Sequence, residues 1–203
     1  MDETEKNALF KDKLYQSWDE LEKNISDCKK CELCKKRNKI VVGAGSKNST
    51  LMLIGEGPGA DENESGIPFV GKAGKLLTKI LESVGIDKEK DVYITNIVKC
   101  QPPGNRNPKD SEMTICLPYL LSQIQLLKPK AFILCGGIST KFLLGKKEGI
   151  TKLRGRILTL FGIPAIPIFH PSYLLRNPSR KEGSPKWKMW EDMKLIKSML
   201  DDF

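Results

Sequence analysis

Polar residues dominate this chain, and four short apolar runs stand out against them: TLMLIGEG at 50–57, DVYITNIV at 91–98, KAFILCGG at 130–137 and AIPIFH at 165–170. Turn residues bound each run. Such near-continuous hydrophobicity suits strands buried on both faces, as in a parallel sheet. Helical periodicity fills the intervals, over roughly 71–84, 110–127 and 138–144, and returns at about 185–200 with Trp187, Trp190, Met193, Ile196 and Leu200. Strand alternating with helix predicts an α/β protein, a three-layer α/β/α sandwich around a central four-stranded parallel sheet. Ahead of it, Phe10, Leu14, Trp18, Leu21 and Ile25 mark an amphipathic helix over 5–26 whose stripe packs onto the main body. No internal repeat is present. Residues 1–203 read as a single domain with an N-terminal helical arm and cysteine segment, about 1–40, packed on it.

Charge adds a constraint on partners. The net charge is +9, from 34 Lys and Arg against 25 Asp and Glu. That balance favours a polyanion such as nucleic acid, or else marks an ordinary soluble basic protein. No long basic run occurs, so the fold itself must build any polyanion site. No apolar run is long enough to span a bilayer, and the opening MDETEKNALFKDK lacks the apolar stretch of a secretory signal. The expectation is a cytoplasmic protein without membrane association. Disulfides are rarely kept there, so the six cysteines point to a metal or a cluster.

Ligands of a parallel α/β sheet bind beyond the carboxyl ends of its strands. The notable residues fall there: GEGPG after the first strand, Asn96 late in the second, and His170, the single histidine, at the end of the fourth. GEGPGA at 55–60 fits the dinucleotide fingerprint G-x-G-x-x-G/A, but that motif needs a helix opening inside it. Here the next helix is expected only near Gly71, and the acidic DENE would repel phosphates. The glycines instead let backbone approach a small ligand closely. Phe69, in GIPFVGKAG, is either a core anchor or a flat face for a planar ring. Cys28-x-x-Cys31 is a ligand-type pair that Cys34 makes ambiguous, Cys100 and Cys116 flank a loop and a helix start, and Cys135 reads as a small core residue. Zinc and an iron–sulfur cluster both accept four thiolates.

Five segments in order, CKKC, GEGPGADENESGIPFVGKAGKLL, VYITNIVKCQPPGNRNP, EMTICLPYL and FHPSYLLRNP, resemble family 4 uracil-DNA glycosylases, the iron–sulfur type of thermophilic bacteria and archaea. The match runs from about Cys28 to the C-terminal helix. The resemblance implies a monofunctional enzyme that flips uracil out of DNA and hydrolyses its N-glycosidic bond. It assigns Phe69 to stack on uracil, Asn96 to pair with its amide edge, and Glu62 to the place where thymine's methyl would go. His170 would donate to the uracil O2 that gains charge as the bond breaks. Gly57 aligns with the aspartate that positions water in other uracil glycosylases, leaving Glu56 and nearby backbone for that task, as a base or as a brace of the loop. Leu174 and Leu175 would wedge into the gap left by the flipped base, with Arg176, Arg180 and Lys181 on phosphates. The family's [4Fe-4S] cluster maps to Cys28, Cys31, Cys100 and Cys116, with Cys34 a spare able to replace Cys31. The implied partner is uracil-containing DNA and the implied state a monomer, while the sequence is silent on a sliding clamp.

Rival readings fit less well. A covalent uracil-DNA binder of a related family uses a histidine in an inserted basic loop, and ENESGIP has neither. An electron-transfer protein with a nucleotide would need the fingerprint that fails here. A non-catalytic DNA-binding module would have no use for Phe69, Asn96 and His170 together.

Overall fold

Side chains alternate across each central strand, and the two faces of the sheet sort them. In strand β2 (Leu51–Gly55), Leu51 and Leu53 enter one core and Met52 and Ile54 the other. The structure, a computed structural model, describes residues 3–11 and 15–201. Among them, β2 pairs in parallel with β3 (Val92–Asn96) and β4 (Ala131–Cys135), and β4 pairs in parallel with β6 (Ile163–Ile168). Residues of β2, β3 and β4 are all buried, as their unbroken hydrophobicity requires.

The sheet is larger than the four parallel strands expected. It has six strands in the order β1-β3-β2-β4-β6-β5, with β1 (Ala44–Gly45) and β5 (Leu158–Leu160) antiparallel at its two edges. Two and three residues are too few to leave a periodic signal in sequence. The four predicted strands remain the parallel centre, and helices cover both faces. Helix α5 (Asp110–Leu127) lays Leu117, Leu120, Leu121 and Ile124 on one face. Helices α4 (Lys72–Glu82) and α9 (Pro185–Asp201) lay Leu77, Leu81, Met189, Met193 and Ile196 on the other.

Two helices depart from expectation. The N-terminal helix is not continuous over 5–26: α1 covers Glu3–Lys11 and α2 covers Trp18–Ser26. Ser17 caps α2 by accepting from the Glu20 N–H at 3.2 Å, while the Glu20 carboxylate accepts from the Gln16 N–H at 2.8 Å. That reciprocal cap starts a new helix. Leu14 lies outside the described residues. The stripe packs as expected elsewhere: Leu21 and Ile25 are fully buried beside Tyr119, and Phe10 stacks on Phe161 at 4.5 Å. The second departure is α3 (Ala60–Ser65), which opens right after the glycine-rich turn instead of near Gly71. A carboxylate oxygen of Glu62 accepts from the Gly59 N–H at its start, 3.0 Å away, so a pyrophosphate would meet an acid there.

Candidate functional site

Beyond the carboxyl edge of the sheet lies a cleft of about 770 Å³ lined by Glu56, Gly57, Glu62, Phe69, Asn96 and His170. Residues far apart in sequence thus meet at one place. Gly55 and Asn96 end their strands in register with each other. A Cβ at Gly55 would stand 2.4 Å from Asn96 Oδ1 and 2.8 Å from Phe69 Cζ, so glycine lets both side chains close on the strand end. A Cβ at Gly57 would press on Val98 at 2.7 Å, in the segment that follows Asn96.

Phe69 is held in a left-handed conformation, φ 54°, unusual for a bulky residue and worth about 1–3 kcal/mol of strain. Glu62 holds the segment beside it: its second carboxylate oxygen accepts from the Val70 and Gly71 N–H groups, both at 2.9 Å. One carboxylate thus ties the start of α3 to the turn that presents Phe69. The Phe69 ring is nearly buried and its centroid lies 6.1 Å from that of His170.

His170 caps α8 (Pro171–Arg176). Its Nδ1 accepts from the Ser172 N–H at 3.2 Å and lies 2.8 Å from the Ser172 hydroxyl. A backbone donor at Nδ1 requires a lone pair there, so the proton of the neutral ring sits on Nε2. Burial, with help from Arg176 and against Glu62, lowers the pKa of His170 and keeps the ring neutral near pH 7. Burial alone pushes the Glu56 carboxyl up to about 7. Ser172 was invisible as a site residue in the sequence, although a serine at the second position of a helix opened by His-Pro is a capping signal.

The cleft rim is basic. Arg176 lines it, as does Lys141 of α6 (Gly137–Leu144), which the sequence reading did not single out. Arg106 lines it too, but forms a bidentate pair with Glu112 at 2.8 and 2.7 Å. Arg180 and Lys181 are exposed in the turn after α8, outside the cleft. The two leucines separate. Leu175 is 46% exposed, whereas Leu174 is 1% exposed and packs with the core of α4 and α9. Adjacent helical residues point about 100° apart, so one can seat in the core while its neighbour faces outward. Leu174 therefore does not project as a wedge.

Five cysteines, Cys28, Cys31, Cys34, Cys100 and Cys116, line a second, small cavity of about 20 Å³, with Ile25, Leu33, Ile40 and Val98 around them. Cys135 is apart, fully buried in β4. Among the described residues, no group of three or more His, Cys, Asp or Glu side chains is set to hold a metal ion. The donor set still suits a thiolate-bound group: soft ligands in an apolar pocket, with donors aimed at the sulfurs. Arg37 reaches Cys100 Sγ at 3.5 Å and the Cys28 carbonyl at 2.7 Å, and the Lys99 N–H faces Cys116. Burial raises the thiol pKa of Cys31, Cys100 and Cys116, the last to about 12, so thiolates here need a positive partner.

The chain has relatives among known proteins. Residues 42–194 match the family model described as the Uracil DNA glycosylase superfamily. Among curated relatives, a "Type-4 uracil-DNA glycosylase" of Thermotoga maritima is 45% identical over 159 residues, 77% of this chain and 82% of that protein. One from Pyrobaculum aerophilum is 43% identical over 164 residues, 76% and 83% of the two chains. One from Saccharolobus solfataricus is 40% identical over 185 residues, 87% and 83%. The chain belongs to the uracil-DNA glycosylase superfamily, and within it to the type-4 family.

Proposed function

We propose that the protein excises uracil from DNA by hydrolysing the N-glycosidic bond of a flipped-out nucleotide, and that it does so as a monofunctional enzyme. The observation that carries this reading is the meeting of Phe69, Asn96 and a His170 protonated on Nε2 in one cleft. Phe69 offers a face to the base. The Asn96 carboxamide, one donor and one acceptor, complements uracil O4 and N3–H. Cytosine reverses that pattern and leaves buried groups unpaired, at about 1–3 kcal/mol each. Glu62 closes the side where a thymine methyl would project. As the bond breaks, charge gathers on O2, and the Nε2–H of a neutral imidazole stabilises it, a contribution of ~3 kcal/mol. Water then attacks the sugar carbon, with Glu56 orienting it beside Gly57. Leu175 fills the vacated stack, and Arg176, Lys141, Arg180 and Lys181 hold phosphates.

Cys28, Cys31, Cys100 and Cys116 would hold a [4Fe-4S] cluster, with Cys34 in reserve; its contribution when bound is to fix the N-terminal arm against the loop after Asn96. We read the chain as one domain over 1–203, a cytoplasmic monomer acting on uracil-containing DNA. Among the described residues no helix is long and apolar enough to cross a membrane.

A labelled oligonucleotide with one uracil tests the activity: release of free uracil and an alkali-labile abasic site is expected, without borohydride-trapped adduct. Intact oligonucleotide, or a trapped covalent complex, would sink the reading. Anaerobic protein should carry about four irons. Zinc in place of iron would remove the cluster.

A further inference from the structure

Helix α9 has two faces of different chemistry. Met189, Asp192, Met193 and Ile196 are buried. Trp187 and Trp190 belong to the same apolar pattern in sequence, yet neither joins that core: Trp190 is 41% exposed and Trp187 half-buried. Their ring centroids lie 5.2 Å apart with planes tilted by 51°, so the two indoles support each other. Lys194 Nζ sits 3.7 Å from the centroid of the Trp190 ring. At 100° per residue, Lys186, Trp187, Trp190 and Lys194 fall within about 100° of arc, a single stripe of indoles and amines. Glu191 flanks the stripe, and Asp201 at the helix end pairs with Lys197 at 2.5 Å. Among the described residues, no carboxylate forms an ion pair with Lys186 or Lys194.

One exposed aromatic needs no explanation. Two packed together among lysines have a definite preference. Protein interfaces enrich tryptophan but deplete lysine. Single-stranded nucleic acid uses both, because bases stack on aromatic rings while cations follow the phosphates. The stripe also continues the surface already assigned to DNA. The Ser184 hydroxyl donates to the Ser179 carbonyl at 3.0 Å and accepts from the Trp187 N–H at 3.4 Å, and the Ser184 N–H donates to the Lys181 carbonyl at 3.0 Å. One residue thus ties the turn that carries Arg180 and Lys181 to the first turn of α9. A strand leaving the cleft along that turn meets Trp187 and Trp190 next.

We propose that the outer face of α9 is a second DNA contact, one that holds the unpaired strand flanking the lesion: a base stacks on Trp190, supported by Trp187, and Lys186 and Lys194 hold the adjoining phosphates. This rests on the reading of the cleft as a uracil-excision site, which gives the strand its starting point. The contact carries no sequence information, since every base offers a ring face. It adds affinity and leaves the chemical step alone.

The test compares wild type, Trp190→Ala, Trp190→Phe and Lys194→Gln in two assays. The first measures affinity for a uracil-free single strand of about 25 nucleotides, longer than one site of this kind occupies. Trp190→Ala should weaken it roughly 5- to 100-fold, the range for losing one stacked base, and Trp190→Phe, which keeps a ring, should retain most of it. Lys194→Gln should lower the salt slope by about 0.7, the single-strand value per phosphate. The second assay measures excision from uracil strands of about five and about 25 nucleotides. Trp190→Ala should raise KM on the long strand, leave it unchanged on the short one, and leave kcat unchanged on both. Unchanged affinity in Trp190→Ala, or an unchanged salt slope in Lys194→Gln, overturns the proposal, as does failure of wild type to bind the uracil-free strand. An equal rise of KM on both lengths, accompanied by a lowered melting temperature, makes Trp190 structural and overturns it too. Wild type sedimenting as a dimer and Trp190→Ala as a monomer would give the face to a second copy of the chain. Uracil strands that wild type binds but leaves intact remove the excision reading, and the uracil-free strand still decides the α9 contact.

Discussion

At the scale of single residues, His170 and Glu56 have opposite requirements, and each can be tested through its proton. His170→Ala should slow single-turnover excision by roughly 10²–10³, the range for one preorganised donor, while DNA affinity holds because phosphate contacts supply most of it. A 5-fluorouracil substrate, whose anion is more stable, should narrow the gap between mutant and wild type. An equal loss on both bases, with a lowered melting temperature, would return His170 to a structural role. Glu56 must be ionised to orient water, and its carboxyl is raised to about 7 from 4.5. Excision should therefore rise with pH through about 7, and Glu56→Gln should remove that limb. The stability consequence runs the other way. A carboxyl whose folded pKa is raised contributes most below its unfolded pKa, and that stability is lost as pH rises through the folded one. Glu56→Gln should thus melt higher than wild type at pH 8 and no higher at pH 4. A flat pH–rate profile would separate Glu56 from the water. Glu56 itself was readable in the sequence only as the neighbour of Gly57; its burial, which gives it this behaviour, depends on the packed fold.

Among the elements, α8 offers a contrast between neighbours. Leu174→Ala should destabilise the fold by about 2–5 kcal/mol, as truncation of a buried leucine does, and excision by the folded fraction should persist. Leu175→Ala should leave the melting temperature within a degree or two and reduce excision from duplex more than from single strands, where no stack needs filling. If both variants only destabilise, neither leucine enters the DNA. The sequence places these two side by side with nothing to rank them, because the ranking comes from how α8 seats on α4. The central strands were legible since both faces are apolar, and the cleft because its residues end those strands. The break between α1 and α2 was written in the sequence as Ser17 and Glu20, three apart, but the apolar stripe running across it masked the cap. Lys99 was not legible at all: beside Cys100 it reads as an ordinary surface lysine, and only the meeting of Thr95, Asn96 and Gln123 buries it.

For the whole molecule, a charge of +9 and a basic cleft rim imply affinity that salt weakens. Log affinity should fall linearly with log salt, at a slope of about −0.9 per phosphate neutralised. Lys141→Ala and Arg176→Ala should each reduce that slope by about one, and slopes equal to wild type would take these residues off the phosphates. Edge strands of two and three residues have a consequence at this scale too. A polyanion gathers many copies of a basic protein along itself, and exposed sheet edges would then meet often enough to pair and aggregate. Short antiparallel strands at both borders offer too little unpaired backbone for another chain to extend, a recognised protection against edge-to-edge association.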